Sequence, residues 1–141
     1  MILEDEITKR GRDALEKADA FLKNARRALD EGDLDPCIHD LFPPCEFAAN
    51  VLREKIGEEP SEDHEVKLES AQRAYRKSLI GHKEYHAYER VYQLKSVVQY
   101  YPYYKVKKTK KSLERVTPQE AVELFAGVVS LVEKAKQYAN E

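Results

Sequence analysis

ADAFLKNARRALDEGD (residues 18–33) is the stretch that decides the fold of this 141-residue chain. Small and apolar residues recur in it every three or four positions, which predicts an amphipathic helix from Ile7 to Leu29. Gly32 then ends that helix, because glycine is the residue most often found just past a helix end. A second stretch with small and apolar residues, CEFAANVL (residues 45–52), follows closely. The two stretches together predict a helical hairpin.

The second helix of this hairpin is predicted to run from Leu34 to Leu52 with an interruption in its middle. Pro43 and Pro44 lie there, and a proline inside a helix removes a backbone donor and clashes with the preceding turn. We therefore expect a kink or a break at the proline pair.

Two further helices are predicted downstream of a linker at residues 57–61. Asp63 is a suitable N-cap for a third, shorter helix that runs to about Leu79 and ends at Gly81. The fourth helix spans about residues 85–99. It carries a tyrosine stripe that we expect to be half-buried with its hydroxyls outward: Tyr85, Tyr88 and Tyr92.

The fifth helix has the clearest local signal in the chain. Thr117 can cap it, Pro118 suits its first position, and Glu120 can reach back to complete a capping box. The apolar stripe that follows is Ala121, Leu124, Phe125, Val128, Leu131, Val132, Ala135 and Tyr138. The expected fold is a single all-α domain over residues 1–141, an up-and-down bundle of four main helices and one shorter helix.

The composition excludes several function classes. The formal charge of -2 predicts no particular partner. Cys37 and Cys45 are eight residues apart, a rise of about 12 Å on one helix, so we expect reduced thiols and no disulfide. No residue spacing indicates a metal site or a cofactor. No apolar run is long enough for a membrane span or a signal peptide, so we expect a cytoplasmic protein.

Three features resemble the HEPN superfamily (higher eukaryote and prokaryote nucleotide-binding domains): the hairpin, the stretch LKSVVQY (residues 94–100) and the Thr117-Pro118 helix start. The resemblance covers nearly the whole chain and implies a HEPN-like helical bundle that pairs as a homodimer. It also implies binding of RNA or a nucleotide, and a nucleotidyltransferase as partner in a toxin–antitoxin-like pair.

Active HEPN ribonucleases resemble one another in an arginine followed, after about four to six residues, by a histidine. Here this spacing matches Arg76 and His82. Histidine can transfer the proton of a ribose 2′-hydroxyl and arginine can stabilise phosphorane charge without a metal. The match lies earlier than in the family, which has an arginine where this chain has Lys95. One interpretation is a ribonuclease acting across a dimer; the other is that both residues are solvated helix-end residues favoured by the helix dipole.

YPYYKVKKTKKSLER (residues 101–115) interleaves tyrosines with basic side chains. Its part from residue 105 onward holds six basic residues and one acidic residue. Lysines can neutralise phosphates while tyrosine rings stack on unpaired bases. The residues expected to contact nucleic acid or a nucleotide are Tyr101, Tyr103, Tyr104, Lys105, Lys107, Lys108, Lys110, Lys111 and Arg115. The alternatives are an acidic protein partner and a solvated loop.

The sequence thus favours a non-catalytic, HEPN-like module that binds RNA or a nucleotide and works with a nucleotidyltransferase. Two alternatives stay open. One is a metal-independent ribonuclease that uses Arg76 and His82. The other is a helical scaffold subunit of a larger nucleoprotein complex.

Overall fold

The computed structural model describes the backbone of residues 4–100 and 116–140 and the side chains of residues 9–95 and 116–140. This part of the chain contains five helices and no strand. The helices are α1 (Glu4–Asp30), α2 (Leu34–Lys55), α3 (His64–Arg76), α4 (His82–Tyr100) and α5 (Pro118–Ala139). The predicted all-α bundle of four long helices and one shorter helix is confirmed.

Helix α2 is the centre of the bundle, since it contacts each of the other four helices. Its Ile38, Leu41 and Leu52 are fully buried, as are Leu131 and Val132 of α5. Burying side chains of this size contributes about 1.5–3 kcal/mol each relative to exposure. The apolar stripes identified in the sequence therefore meet along α2.

Of the kink or break predicted at Pro43 and Pro44, the break was wrong, because α2 runs without interruption from Leu34 to Lys55; a kink stays a prediction. The two prolines withhold the backbone donors that His39 and Asp40 would otherwise accept. Pro44 is itself fully buried in the core. Packing against four helices offsets the missing hydrogen bonds. This packing cannot be inferred from the sequence near the two prolines.

The helix ends show where local reasoning succeeded and where it failed. As predicted, α1 ends at a glycine: Gly32 has φ +79°, and the next residue, Asp33, donates its N–H to Ala28 O at 2.8 Å. Helix α3, in contrast, ends at Arg76 rather than near Leu79. The same type of turn occurs there with Ser78 at φ +61° in the position that glycine usually takes.

Gly81, predicted to end the third helix, instead precedes the first residue of α4. Its carbonyl accepts from Tyr85 N at 3.1 Å, and its N–H donates to Glu84 Oε1 at 3.0 Å. The Glu84 carboxylate thus satisfies a backbone donor that would be unpaired at the start of the helix. Helix α4 consequently begins at His82, about one turn earlier than predicted.

Helix α5 begins as predicted, with Thr117 Oγ1 accepting from Glu120 N at 3.1 Å. The Glu120 carboxylate, however, does not complete a capping box. Both of its oxygens accept from Arg90 of α4, at 2.8 Å from Nε and 3.2 Å from Nη2. Because Arg90 is only 3% exposed, this bidentate pair holds the start of α5 against α4.

Candidate nucleic-acid interface

Four rings follow one another at the junction of α3 and α4, and we call them the ring ladder: Tyr85, Tyr75, His82 and His86. Tyr75 stacks on Tyr85 with ring centroids 5.5 Å apart and planes 9° apart. The His82 ring lies 6.0 Å from Tyr75 and 5.7 Å from His86. Tyr75, His82 and His86 are exposed, whereas Tyr85 is half-buried. The ladder is thus an aromatic surface that is open to solvent.

Local structure explains why these rings come together. His82 and His86 are one turn apart on α4, so their side chains are neighbours. The turn at Ser78 folds α4 back toward the end of α3, which brings Tyr75 beside Tyr85. The Tyr85 hydroxyl donates to Glu89 Oε2 at 3.0 Å. Burial, together with this carboxylate, raises the pKa of Tyr85 to about 12, so its phenol is a neutral anchor for the ladder.

The charges around the ladder are unevenly distributed. Arg76, Lys77 and Lys83 are exposed at the end of α3, in the turn and at the start of α4. On the α5 side, His82 and His86 line a groove of about 410 Å³ whose far wall includes Glu120 and Glu123. Lys83 also lines this groove and Glu120 is paired with Arg90, so the ladder has a cationic side at Arg76 and Lys77 and a side of mixed charge toward α5.

A second surface combines aromatic rings with a lysine on α2 and α4. The Lys95 ammonium lies 4.4 Å from the ring centroid of Phe42 and 4.8 Å from that of Tyr92. The Phe42 ring also meets Tyr92 edge-on at 6.2 Å and His64 at 5.4 Å. We call these four residues the Phe42 cluster. Helix α4 leads from this cluster toward the basic segment at residues 101–115.

The Phe42 cluster is supported from behind by an acidic residue. Glu46 of α2 accepts from His64 Nδ1 and pairs with Lys67 Nζ at 3.2 Å. Lys67 is 7% exposed, so this pair stays inside the α2–α3 contact.

Tyr88 is buried completely, which contradicts the expected outward hydroxyl, and that hydroxyl has no hydrogen-bond partner among the described residues. Burial is the main cause that raises the pKa of Tyr88.

An apolar groove of about 610 Å³ lies between α5 and the α1–α2 turn. Leu29, Leu34 and Phe125 line it, and Val122 at its edge is 54% exposed. It shares Val122 with the neighbouring groove that contains the ladder histidines.

The structure places the two residues of the ribonuclease motif at the same exposed turn. Arg76 is the last residue of α3, where a cation suits the helix dipole. His82 is the first residue of α4, at the opposite dipole end, so the dipole argument holds only for Arg76. The expected contact residues of the 101–115 segment, from Tyr101 to Arg115, lie outside the described residues.

Sequence reasoning missed the ring ladder and the Phe42 cluster as units. The four-residue spacing of His82 and His86 is visible in the sequence and indicates a shared helix face. No spacing could have paired Tyr75 with Tyr85, because that contact depends on the angle of the turn between their helices. The same holds for Phe42 and His64, which belong to different helices.

Both cysteines are core residues of α2. Cys37 and Cys45 are free and fully buried. Burial raises the pKa of Cys37 to about 11 and that of Cys45 further.

Within residues 9–95 and 116–140, no three histidine, cysteine or acidic side chains are placed to hold a metal ion. None of the described helices is long and apolar enough to cross a membrane. No protein-family model matches the chain, and no curated protein matches it either.

Proposed function

We propose that this protein is a HEPN-like module that binds RNA or a nucleotide. The observation that carries the proposal is the Phe42 cluster, in which the Lys95 ammonium lies over the rings of Phe42 and Tyr92. Such cation–aromatic surfaces suit a base and its phosphate. Two residues of the cluster, Tyr92 and Lys95, lie on α4. The 101–115 segment follows this helix in the sequence, and its tyrosines and lysines have the same two chemistries.

The test is binding of a labelled single-stranded RNA at two salt concentrations. A variant with Lys107, Lys108, Lys110 and Lys111 changed to glutamate should lose the salt-sensitive binding, because it removes the cations that neutralise phosphates. The matched control places four glutamates at exposed cations of α1, which changes the net charge by the same amount: Lys9, Lys17, Lys23 and Arg27. Equal loss in both variants would contradict a specific role for the 101–115 segment.

A homodimer and a nucleotidyltransferase partner belong to the same proposal. Both rest on the resemblance of residues 18–52, 94–100 and 117–118 to HEPN proteins. Light scattering of the purified protein tests the homodimer. Co-expression with a candidate nucleotidyltransferase, followed by size-exclusion chromatography, tests the partner; elution of the two proteins apart would count against it.

A metal-independent ribonuclease is the second candidate, favoured by the exposure of Arg76 and His82 at one turn. A histidine and an arginine could serve as proton-transfer group and phosphorane-stabilising cation if a second protomer brought their symmetry mates together. The RNA from the binding experiment should therefore be run on a denaturing gel. Cleavage that persists in Arg76→Ala and His82→Ala would exclude these two residues as catalytic groups. RNA that stays intact with the wild type would instead favour the non-catalytic binding module.

A further inference from the structure

We propose that the ring ladder binds unpaired bases of single-stranded RNA. The inference rests on the proposed RNA binding and adds a contact surface that is separate from the 101–115 segment. It also limits the ligand to a single strand, because only unpaired bases can present their faces to protein rings.

The spacing of the rings is the first argument. Successive centroids are 5.5, 6.0 and 5.7 Å apart along Tyr85, Tyr75, His82 and His86. Bases within a stacked strand are only about 3.4 Å apart. A strand that follows the ladder must therefore separate its bases. Because neighbouring rings already contact each other and leave no room for a base between them, each base contacts the solvent-exposed edge or outer face of a ring. A duplex cannot do this without losing its pairing.

Exposure is the second argument. Tyr75 is 37% exposed, an unusual value for a large aromatic side chain in this bundle. His82 and His86 are also exposed, so these three rings contribute little to the core. Tyr85 is the exception, since its hydroxyl bonds to Glu89 and its ring supports Tyr75. Exposed rings held in place by a half-buried neighbour are pre-organised for stacking, which reduces the entropy lost on binding.

The charges around the ladder indicate on which side of the rings the phosphate backbone lies. Arg76 and Lys77 border the ladder at the end of α3. The groove on the α5 side has mixed charge, because Lys83 and Glu123 both line it and Glu120 is paired with Arg90. Phosphates are attracted to the side with the excess of cations. The backbone of a bound strand should therefore follow the side of Arg76 and Lys77, with its bases directed toward the rings.

The decisive variants remove rings without changing charge. Tyr75→Leu removes a ring and keeps an apolar side chain, whereas its matched control, Tyr75→Phe, keeps the ring and loses only the hydroxyl. Tyr75→Leu combined with His82→Ala should weaken single-stranded RNA binding by about 5- to 150-fold for each ring. Tyr75→Phe should bind within about twofold of the wild type. Circular dichroism confirms that each variant is folded.

Salt dependence separates the ladder from the phosphate contacts. Because the ring variants keep every lysine and arginine, their affinity should fall with salt at the wild-type slope. The glutamate variant at Lys107, Lys108, Lys110 and Lys111 should instead show a shallower slope. A duplex of the same sequence should bind the ring variants and the wild type equally.

A fluorescent reporter gives a direct readout. The chain contains no tryptophan, so Tyr75→Trp places the only tryptophan in the ladder, and a base that stacks on it should quench the tryptophan emission. Phe125→Trp in the apolar groove is the matched control and should not respond.

Three outcomes overturn the inference while leaving RNA binding intact: ring variants with wild-type affinity, an equal loss of duplex binding, or no quenching at Tyr75→Trp. If the wild type binds no single-stranded RNA even at low salt, the proposed function itself fails.

Discussion

Gly127 lies at a close approach of α5 to α4, and its replacement by alanine should destabilise the protein. A Cβ atom added there would lie 2.5 Å from Ala87 Cβ and 3.1 Å from Lys83 O. Neither atom is the end of a flexible side chain. Helix α4 would therefore have to move away from α5 to accommodate a single methyl group.

Two opposing effects determine the magnitude. Alanine is favoured over glycine inside a helix by about 1 kcal/mol, so Gly127→Ala would be stabilising if space were available. Overpacking of a tight core costs about 1–3 kcal/mol, and the upper half of that range applies because backbone must move. The free energy of unfolding should therefore fall by about 1–2 kcal/mol, which lowers the Tm by about 3–8 °C in a chain of this size.

Urea unfolding monitored by circular dichroism measures this change, and Gly11→Ala is the matched control. A Cβ at Gly11 would meet Ala139 Cβ at 3.6 Å and Val51 Cγ2 at 3.7 Å, which are ordinary contacts. Gly11→Ala should therefore raise the free energy of unfolding by up to about 1 kcal/mol. The reasoning is refuted if both variants stabilise the protein equally. Ala87→Gly removes the nearest clashing atom but itself costs about 1 kcal/mol of helix propensity, so the double variant should lose less stability than the sum of the two single variants.

Three further predictions concern the turn, the thiols and an ion pair. Ser78→Gly should raise the free energy of unfolding by up to about 1 kcal/mol, because φ +61° strains serine but not glycine; an unchanged urea midpoint would contradict this. Cys37 and Cys45 should react with iodoacetamide at pH 8 more than about 100-fold more slowly than in urea, since raised pKa values suppress the thiolate; mass spectrometry measures both rates. Hydrogen bonding from Arg73 lowers the pKa of Glu58 below its usual 4.5, so this carboxylate stabilises the fold at neutral pH and loses that effect as the pH falls below about 4.5. Glu58→Gln should accordingly lose less stability than the wild type between about pH 6 and pH 3 in urea titrations.

The helices could be predicted from the sequence wherever local chemistry decides them. Gly32 and Thr117 end and begin their helices for reasons contained in the neighbouring residues, and both predictions were confirmed. The end of α3 was mispredicted because Ser78 takes a left-handed conformation that its residue type does not announce. Similarly, Gly81 looked like a terminator, although Glu84 makes it the start of α4.

For the candidate interface, the sequence predicts the types of residue involved but not which of them lie in contact. The spacing of Arg76 and His82 is visible in the sequence, and the structure places both at the turn that carries the ring ladder. Tyr75 did not stand out in the sequence because its stacking on Tyr85 depends on how two helices meet. Residues 101–115 are the converse case: their tyrosines and lysines are evident in the sequence, and their role stays a prediction.

The error at Pro43 and Pro44 and the failure to find the Phe42 cluster have a common cause. Phe42 and Glu46 lie on opposite sides of the proline pair and are four residues apart, so they share a face only if α2 continues through the prolines. In the structure they do: Phe42 meets Tyr92 of α4, and Glu46 binds Lys67 of α3. A broken helix would have separated them and left Lys67 buried without this partner, a costly arrangement. The tertiary contacts that carry α2 through two prolines are therefore the same contacts that assemble the aromatic and cationic surface.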